Sequence, residues 1–112
     1  MSASYIGPNA QVYGSAQVYA SAQVYGSADI REEGDVAQPG DYVTVGPAVS
    51  SGNWCTAHKD RSIGVRVNMG CFSGSLEEFQ TAIEAAHAAN PAALRQYRAF
   101  LALFCAHFQV TL

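Results

Sequence analysis

A six-residue repeat in the first third of the chain constrains the fold more than any other feature of the sequence. The segments NAQVYG, SAQVYA and SAQVYG follow one another directly over residues 9–26, and a fading copy, SADI, comes next. A period of six residues is typical of a parallel β-helix, in which each hexapeptide forms one short side of a triangular coil. We therefore expect residues 3–38 to form a β-solenoid of six hexapeptides, which is two coils.

The residue types within the repeat fit such a coil. The aliphatic position recurs without slip at Ile6, Val12, Val18, Val24, Ile30 and Val36, and a small residue stands two places before each. We expect the aliphatic side chains to fill the narrow interior, while Gln and Tyr alternate with them and face outward. A two-sided array of low-complexity hairpin strands is the alternative. Two coils are few for a solenoid, so the C-terminal part or a second copy must complete the stack.

The outward row Tyr13, Tyr19 and Tyr25 has two interpretations. Exposed tyrosines are effective contact residues in binding surfaces, which favours a functional role. The row would equally serve to cover the thin coil or its junction with the following residues.

Residues 39–112 show the pattern of an α+β domain. Alternating apolar residues between turn signals predict strands over 42–45, 53–58 and 62–69. The fold class expected is thus α+β. It comprises a short N-terminal hexapeptide-repeat β-solenoid (1–38), a three-stranded antiparallel sheet and a C-terminal helical hairpin, packed as one unit.

Two start signals define the helical hairpin. Ser75 and Glu78 form a capping-box pattern, and Asn90 before Pro91 is an N-cap followed by proline in the first helical position. The first helix is expected to bury Leu76, Phe79, Ile83 and Ala86, and the second Leu94, Tyr97, Leu101, Phe104 and Phe108. Phe100 and Leu103 widen the second stripe, which indicates burial on two sides or a dimer seam.

Catalytic and metal chemistry find little support in the sequence. Hexapeptide-repeat acyltransferases and carbonic anhydrases need histidines on their coils, and none precedes His58. Zinc would have to gather its ligands from Cys55, His58, His87, Cys105 and His107, which lack the short paired spacing of structural zinc sites. Cys71 with His87 would form a nucleophile pair only if folding brought them together. We expect no enzyme activity, no metal and no cofactor, and thiols that only pack.

Acidic residues are the one charge feature of note. They begin abruptly after twenty-eight residues without a charged side chain. The candidate partner-binding residues are Asp29, Glu32, Glu33, Asp35, Asp41, Glu77, Glu78 and Glu84. Such a negative face would compete with DNA for a basic groove on another protein. The alternative is a solvated turn together with acids that favour the start of a helix.

Charge and hydropathy narrow the setting of the protein. A formal net charge of −3 argues against direct nucleic-acid binding. The start of the chain lacks a signal-peptide pattern, and no stretch is apolar over the length needed to cross a membrane. Three cysteines without CxxC spacing predict reduced thiols, as in a bacterial cytoplasm.

Two C-terminal segments carry a family resemblance, together with the NAQVYG repeat. Residues 40–47 (GDYVTVGP) and 69–79 (MGCFSGSLEEF) resemble segments of a group of small phage and prophage hexapeptide-repeat proteins with a Gly-Cys-Phe-Ser-Gly turn before two helices. The resemblance implies a mobile element inside a bacterial host, where small acidic proteins often inhibit defence systems, including CRISPR. This chain has fewer repeats than is usual for the group, so the C-terminal domain is expected to make more of the contact.

Three functional hypotheses follow, in this order. The first is a phage-encoded, anti-CRISPR-like inhibitor that binds a defence effector complex in the host cytoplasm and blocks DNA access by sterics or acidic mimicry. The second is an assembly module that forms homo-oligomers through solenoid ends or the C-terminal helix. The third is an enzyme that uses Cys71 or Cys55.

Overall fold

A computed structural model describes most of the chain. The described residues are 5–7, 10–12, 14, 16–18, 23–24, 28–48 and 50–112. For residues 5, 23, 24, 29 and 39, the structure describes the backbone alone.

A four-stranded antiparallel sheet forms the centre of the fold. Its strands are β7 (Tyr42–Val45), β8 (Cys55–Asp60), β9 (Gly64–Met69) and β10 (Phe72–Ser75), in the order β10-β9-β8-β7. The predicted three-stranded sheet is therefore wrong. The fourth strand, Phe72–Ser75, has the sequence FSGS, whose Ser and Gly content indicated a turn. It pairs in register with β9, Phe72 opposite Met69, and cross-strand bonding outweighs its weak strand propensity.

Two helices cover the apolar face of this sheet, as the α+β prediction requires. Helix α1 (Leu76–Ala86) starts at the predicted capping box: the Ser75 side chain accepts from the Glu78 N–H, and Glu78 accepts from the Ser75 N–H. Helix α2 (Pro91–Phe108) is capped by Asn90, whose side chain accepts from the Ala93 N–H.

The main core lies between these helices and the sheet. Its fully buried members include Cys55, Ala57, Val67, Phe79, Ile83, Tyr97 and Phe104. The predicted burial of Ala86 is wrong, because Ala86 is exposed. Leu103 is 42% exposed, which contradicts burial of α2 on two sides, whereas the alternative of a dimer seam stays a prediction. Helix α2 is therefore buried along one stripe, not on two sides.

Short parallel strands make up the described part of the repeat. They are β1 (Tyr5–Ile6), β2 (Gln11–Val12), β3 (Gln17–Val18), β4 (Gln23–Val24), β5 (Asp29–Ile30) and β6 (Asp35–Val36). Each of the first three pairs in parallel with the strand three places later, so that Val12 lies opposite Ile30 and Val18 opposite Val36.

The predicted N-terminal solenoid is wrong, because the described residues form separate two-stranded sheets and no closed coil. Among the described aliphatic side chains of the repeat, burial is complete only near residues 30–36. Ile30 and Val36 are fully buried, whereas Val12 and Val18 are half-buried and Ile6 is 47% exposed. Tyr42, from the four-stranded sheet, packs against this small core, and the sheet takes the place of further coils. Pairs of two-residue strands do not persist without such support.

Residues 28–41 lie over the second face of the four-stranded sheet. Gly34 forms an antiparallel bridge with Asp60, the Arg61 N–H donates to the Glu33 carbonyl at 2.9 Å, and Arg61 Nη1 donates to the Gly34 carbonyl at 3.2 Å. A short 3-10 helix, Pro39–Asp41, leads directly into β7. Both faces of the sheet are consequently covered, one by helices and one by the end of the repeat.

Candidate functional site

Four of the predicted acidic residues are bound to groups within the chain: Glu33, Glu78, Glu84 and Asp41. Glu33 pairs with Arg61 at 3.0 Å, and Glu84 receives Nε and Nη2 of Arg98 at 2.8–3.0 Å. Glu78 closes the cap of α1, and the hydrogen bond from the Ser75 N–H holds its pKa below the ordinary value. These carboxylates hold local structure together, and a partner would have to compete with existing bonds to reach them.

Asp41 is the most enclosed of the predicted acidic side chains that the structure describes. Its side chain is buried and accepts from the N–H groups of Ala37 and Gln38, while Lys59 Nζ lies 3.2 Å away. Burial acts to raise the pKa of Asp41, but these hydrogen bonds and the lysine outweigh it and lower the pKa. Asp41 therefore anchors the turn that joins the repeat to the sheet.

The remaining acids lie at the surface. Glu32 and Glu77 are exposed and Asp35 is half-buried. Within the described part of the chain, none of their three carboxylates has a hydrogen bond or an ion pair; the bond from Thr81 goes to the Glu77 backbone carbonyl. Glu32 adopts a left-handed backbone conformation with φ 54°. The Asp29 side chain lies outside what the structure describes, as do Tyr13, Tyr19 and Tyr25.

A network of buried and half-buried polar side chains, which the sequence did not reveal, lies beneath residues 28–36. Asp60 accepts from Arg66 Nε at 2.7 Å, and Arg66 Nη1 donates to Ser73 Oγ at 3.2 Å. The Ser73 hydroxyl donates to Asn68 Oδ1 at 2.7 Å, and Asn68 Nδ2 lies 2.8 Å from Nε2 of His58. We call these five residues the polar network. The only available signal was the polar, every-second-residue pattern of β8 and β9.

The hydrogen bonds fix the protonation of His58. Its Nε2 atom receives the Arg31 backbone N–H at 3.2 Å, so this atom is an acceptor, and Asn68 must present its NH₂ group to it. The proton is then on Nδ1, which donates to the Lys59 carbonyl at 2.9 Å. A neutral imidazole thus joins the repeat segment to the sheet.

The polar network is arranged for structure rather than nucleophilic catalysis. Activation of a serine requires its hydroxyl to donate to a general base. Ser73 instead donates to an amide oxygen, and Asn68 separates it from His58. Burial acts to raise the pKa of Asp60, but Arg66 and the N–H groups of Ser62 and Ile63 outweigh it and lower the pKa.

The Cys and His residues that a zinc site would have needed are distributed over different parts of the fold. Cys55 and His58 belong to β8 but face opposite sides of it, Cys55 in the helix-covered core and His58 in the polar network. His107 donates to the Gly40 carbonyl at 2.9 Å. Over the described residues, no group of three or more His, Cys, Asp and Glu side chains is placed to hold a metal ion.

The three thiols differ in their burial. It raises the pKa of Cys55 to about 12 and also raises the pKa of half-buried Cys105, whereas Cys71 is exposed on the turn between β9 and β10. Cys71 and His87 both line one surface cavity, but the His87 ring stacks on Tyr97 with centroids 4.6 Å apart. No hydrogen bond joins the thiol to the imidazole in the part of the chain that the structure describes.

That cavity lies on the helix-bearing side of the fold. It has a volume of about 270 Å³ and lies between the β9–β10 turn and helix α1. A shallower depression continues from it along α1 to Glu77 and Glu78, and Phe72 and Ala82 line both. We call the two together the α1 groove. It is lined by Cys71, Phe72, Phe79, Ala82, Ile83 and His87, with Glu77 and Glu78 at its far end.

Neither helix in the described part of the chain is long and apolar enough to cross a membrane.

Comparisons with known proteins give no family assignment. No family model, no curated protein and no solved structure matches this chain.

Proposed function

We propose that this protein is a phage-encoded, non-enzymatic inhibitor that binds a bacterial defence effector complex, such as a CRISPR effector, in the host cytoplasm. The resemblance of residues 40–47 and 69–79 to small phage proteins supports this setting. Both segments have structural roles here: the first forms the turn at Asp41 and strand β7, and the second forms β10 and the capped start of α1.

One observation favours steric blocking over DNA mimicry: several of the acidic side chains are already bonded to groups of the same chain. Glu33, Asp41, Glu78 and Glu84 are each held by a group of the same chain. A DNA mimic needs carboxylates free to meet a basic groove, because a charge already paired contributes little to steering or affinity. We therefore place the inhibitor's effect in steric exclusion of DNA by the bound protein.

A phage challenge tests the inhibitor function. The chain is expressed in bacterial strains that each carry one CRISPR type, and each strain is infected with a phage that its guides target. We expect plaque counts to rise at least tenfold in one strain and to stay unchanged in an isogenic strain without the CRISPR genes. Unchanged plaque counts in every strain would overturn the proposal.

Self-assembly through the C-terminal helix is a second candidate, favoured by one observation. Leu103 is 42% exposed on α2, and Ala99, Ala102 and Ala106 around it are also exposed. A helix pair could bury this face. Light scattering during size-exclusion chromatography decides it: a dimer that Leu103→Glu converts to monomer supports assembly, whereas a wild-type monomer rules it out.

A further inference from the structure

We propose that the α1 groove holds an extended segment of the partner protein, with an apolar or aromatic side chain in the cavity and a lysine or arginine beside Glu77. This inference rests on the proposed function and names the contact face and the chemistry that it recognises. The acidic stretch at residues 29–41 is then not the main contact.

The shape and lining of the groove fit a side chain from an extended protein segment. The cavity of about 270 Å³ is lined mainly by apolar side chains, with Phe79 and Ile83 buried at its base and Ala82 on its side. Binding energy at protein interfaces concentrates where an aromatic or aliphatic anchor fills such a pocket. Aromatic packing holds the walls of the cavity in place: the ring centroid of Phe79 lies 5.7 Å from that of Phe72 and 6.3 Å from that of Phe104.

Contacts across the molecule also fix the turn that forms one wall. Arg31 Nη2 donates to the Gly70 carbonyl at 2.7 Å, and Nη1 lies 3.4 Å from the Phe72 carbonyl. The same residue's N–H binds His58. A preformed pocket lowers the ordering cost of binding, so the repeat segment contributes to recognition without contacting the partner.

Charge at the groove selects a basic partner. Glu77 and Glu78 lie at its far end, and neither cavity is lined by a lysine or arginine in the described residues. Glu78 is already engaged in the helix cap, which leaves Glu77 as the free carboxylate. Elsewhere Lys59, Arg61, Arg66 and Arg98 are ion-paired. The Arg31 guanidinium is bonded to the carbonyls of Gly70 and Phe72 at the turn, so a basic side chain is expected at the Glu77 end of the groove and not beside this turn.

The test uses phage-displayed random dodecapeptides selected on the immobilised full-length protein. Enriched peptides are then measured by fluorescence anisotropy against the wild type and four variants. Ala82→Glu introduces a charged side chain into the groove, and Glu77→Lys reverses its end charge. Ala99→Glu and Glu32→Lys make the same changes at exposed positions elsewhere. Circular dichroism and thermal melting establish that each variant is folded.

We expect enriched peptides to carry an aromatic or aliphatic residue within a few positions of lysine or arginine. Ala82→Glu should weaken their binding about tenfold or more, as loss of an anchor pocket does. Glu77→Lys should weaken it about two- to fivefold, the size of an exposed ion pair. The two control variants should bind as the wild type does.

Acidic enriched sequences, or peptides that bind Ala82→Glu as well as the wild type, would overturn the groove proposal. Should Ala82→Glu fail to fold, unchanged peptide binding to Glu77→Lys would overturn it instead. The phage challenge is run in parallel and keeps the two ideas apart. Absence of phage protection by the wild type overturns the inhibitor function, whereas the peptide result alone decides the groove.

Discussion

Nε2 of His58 lies 2.8 Å from Nδ2 of Asn68, with both side chains fully buried on the face of the sheet that the repeat covers. The same nitrogen receives the Arg31 N–H, so one neutral ring satisfies two donors from two different parts of the chain. A buried polar group without a hydrogen-bond partner destabilises the folded state. Because these side chains bond to each other, the repeat can cover a polar face of the sheet.

Replacing His58 with Phe should destabilise the fold strongly. The change keeps a ring of similar shape but leaves the Arg31 N–H and the Asn68 amide without their acceptor. Each unsatisfied donor costs about 1–3 kcal/mol. The free energy of unfolding, measured in urea, should fall accordingly. His107→Phe is the matched control, since His107 is exposed, and its ring bonds to the Gly40 carbonyl and packs against Phe108 without joining the buried network. An equal loss in both variants would refute the role given to His58.

Gly34→Ala should loosen the contact between the repeat segment and the sheet. An added Cβ would lie 2.7 Å from Cγ2 of Ile30 and 2.9 Å from Cε1 of His58, and both neighbours are fully buried. Such overpacking costs about 1–3 kcal/mol. Gly40→Ala serves as control, because nothing lies within 4 Å of its added Cβ. Thermal unfolding that is equal in both variants would contradict the close approach.

Acid should destabilise the protein in part through Asp41 and Asp60. Both have a pKa below the ordinary value, so each binds its proton more readily in the unfolded chain. Their contribution is therefore fully present above about pH 4, the unfolded pKa, and is lost as pH falls through the lower folded value. Urea unfolding at a series of pH values should show a shallower loss below pH 4 in Asp60→Asn than in the wild type. An unchanged slope would mean that the Asp60–Arg66 pair contributes nothing to this dependence.

The three thiols should react in a fixed order. Exposed Cys71 should be alkylated first by iodoacetamide, half-buried Cys105 more slowly, and buried Cys55, with its pKa raised to about 12, last. Peptide mass spectrometry after timed quenching gives the order. An enriched groove-binding peptide should slow the Cys71 reaction, because Cys71 lines the groove. Early modification of Cys55 would show that the core opens more readily than its burial implies.

Local signals predicted some of the elements after residue 38. Strand β7 has the predicted bounds, and α1 begins at the Ser75 capping box because its side chains bond reciprocally within four residues. Strand β10 was missed because FSGS has low strand propensity and is held by pairing with β9. Such pairing is not visible in a window of a few residues.

The prediction for the repeat was the least accurate. A strict six-residue period implied a self-contained coil, yet the described strands form separate parallel pairs whose core is completed by Tyr42 from the sheet. The acidic residues were likewise predicted to form a negative binding face from the amino-acid composition alone. Whether Glu33 or Glu84 is free depends on Arg61 and Arg98, and these pairs span twenty-eight and fourteen residues of sequence. Neither the pairs nor the α1 groove could be placed without the fold.

The most direct test of the inhibitor function is a DNA-binding assay with a purified effector complex from a strain that the chain protects phage against. We expect the wild-type chain to form a stable complex with the effector and to abolish target-DNA binding at about equimolar ratio. Glu32→Lys combined with Asp35→Lys should inhibit as well as the wild type, since the mechanism we propose is steric exclusion, whereas Ala82→Glu should not inhibit. Full DNA binding by the effector at saturating wild-type chain would contradict the inhibitor function.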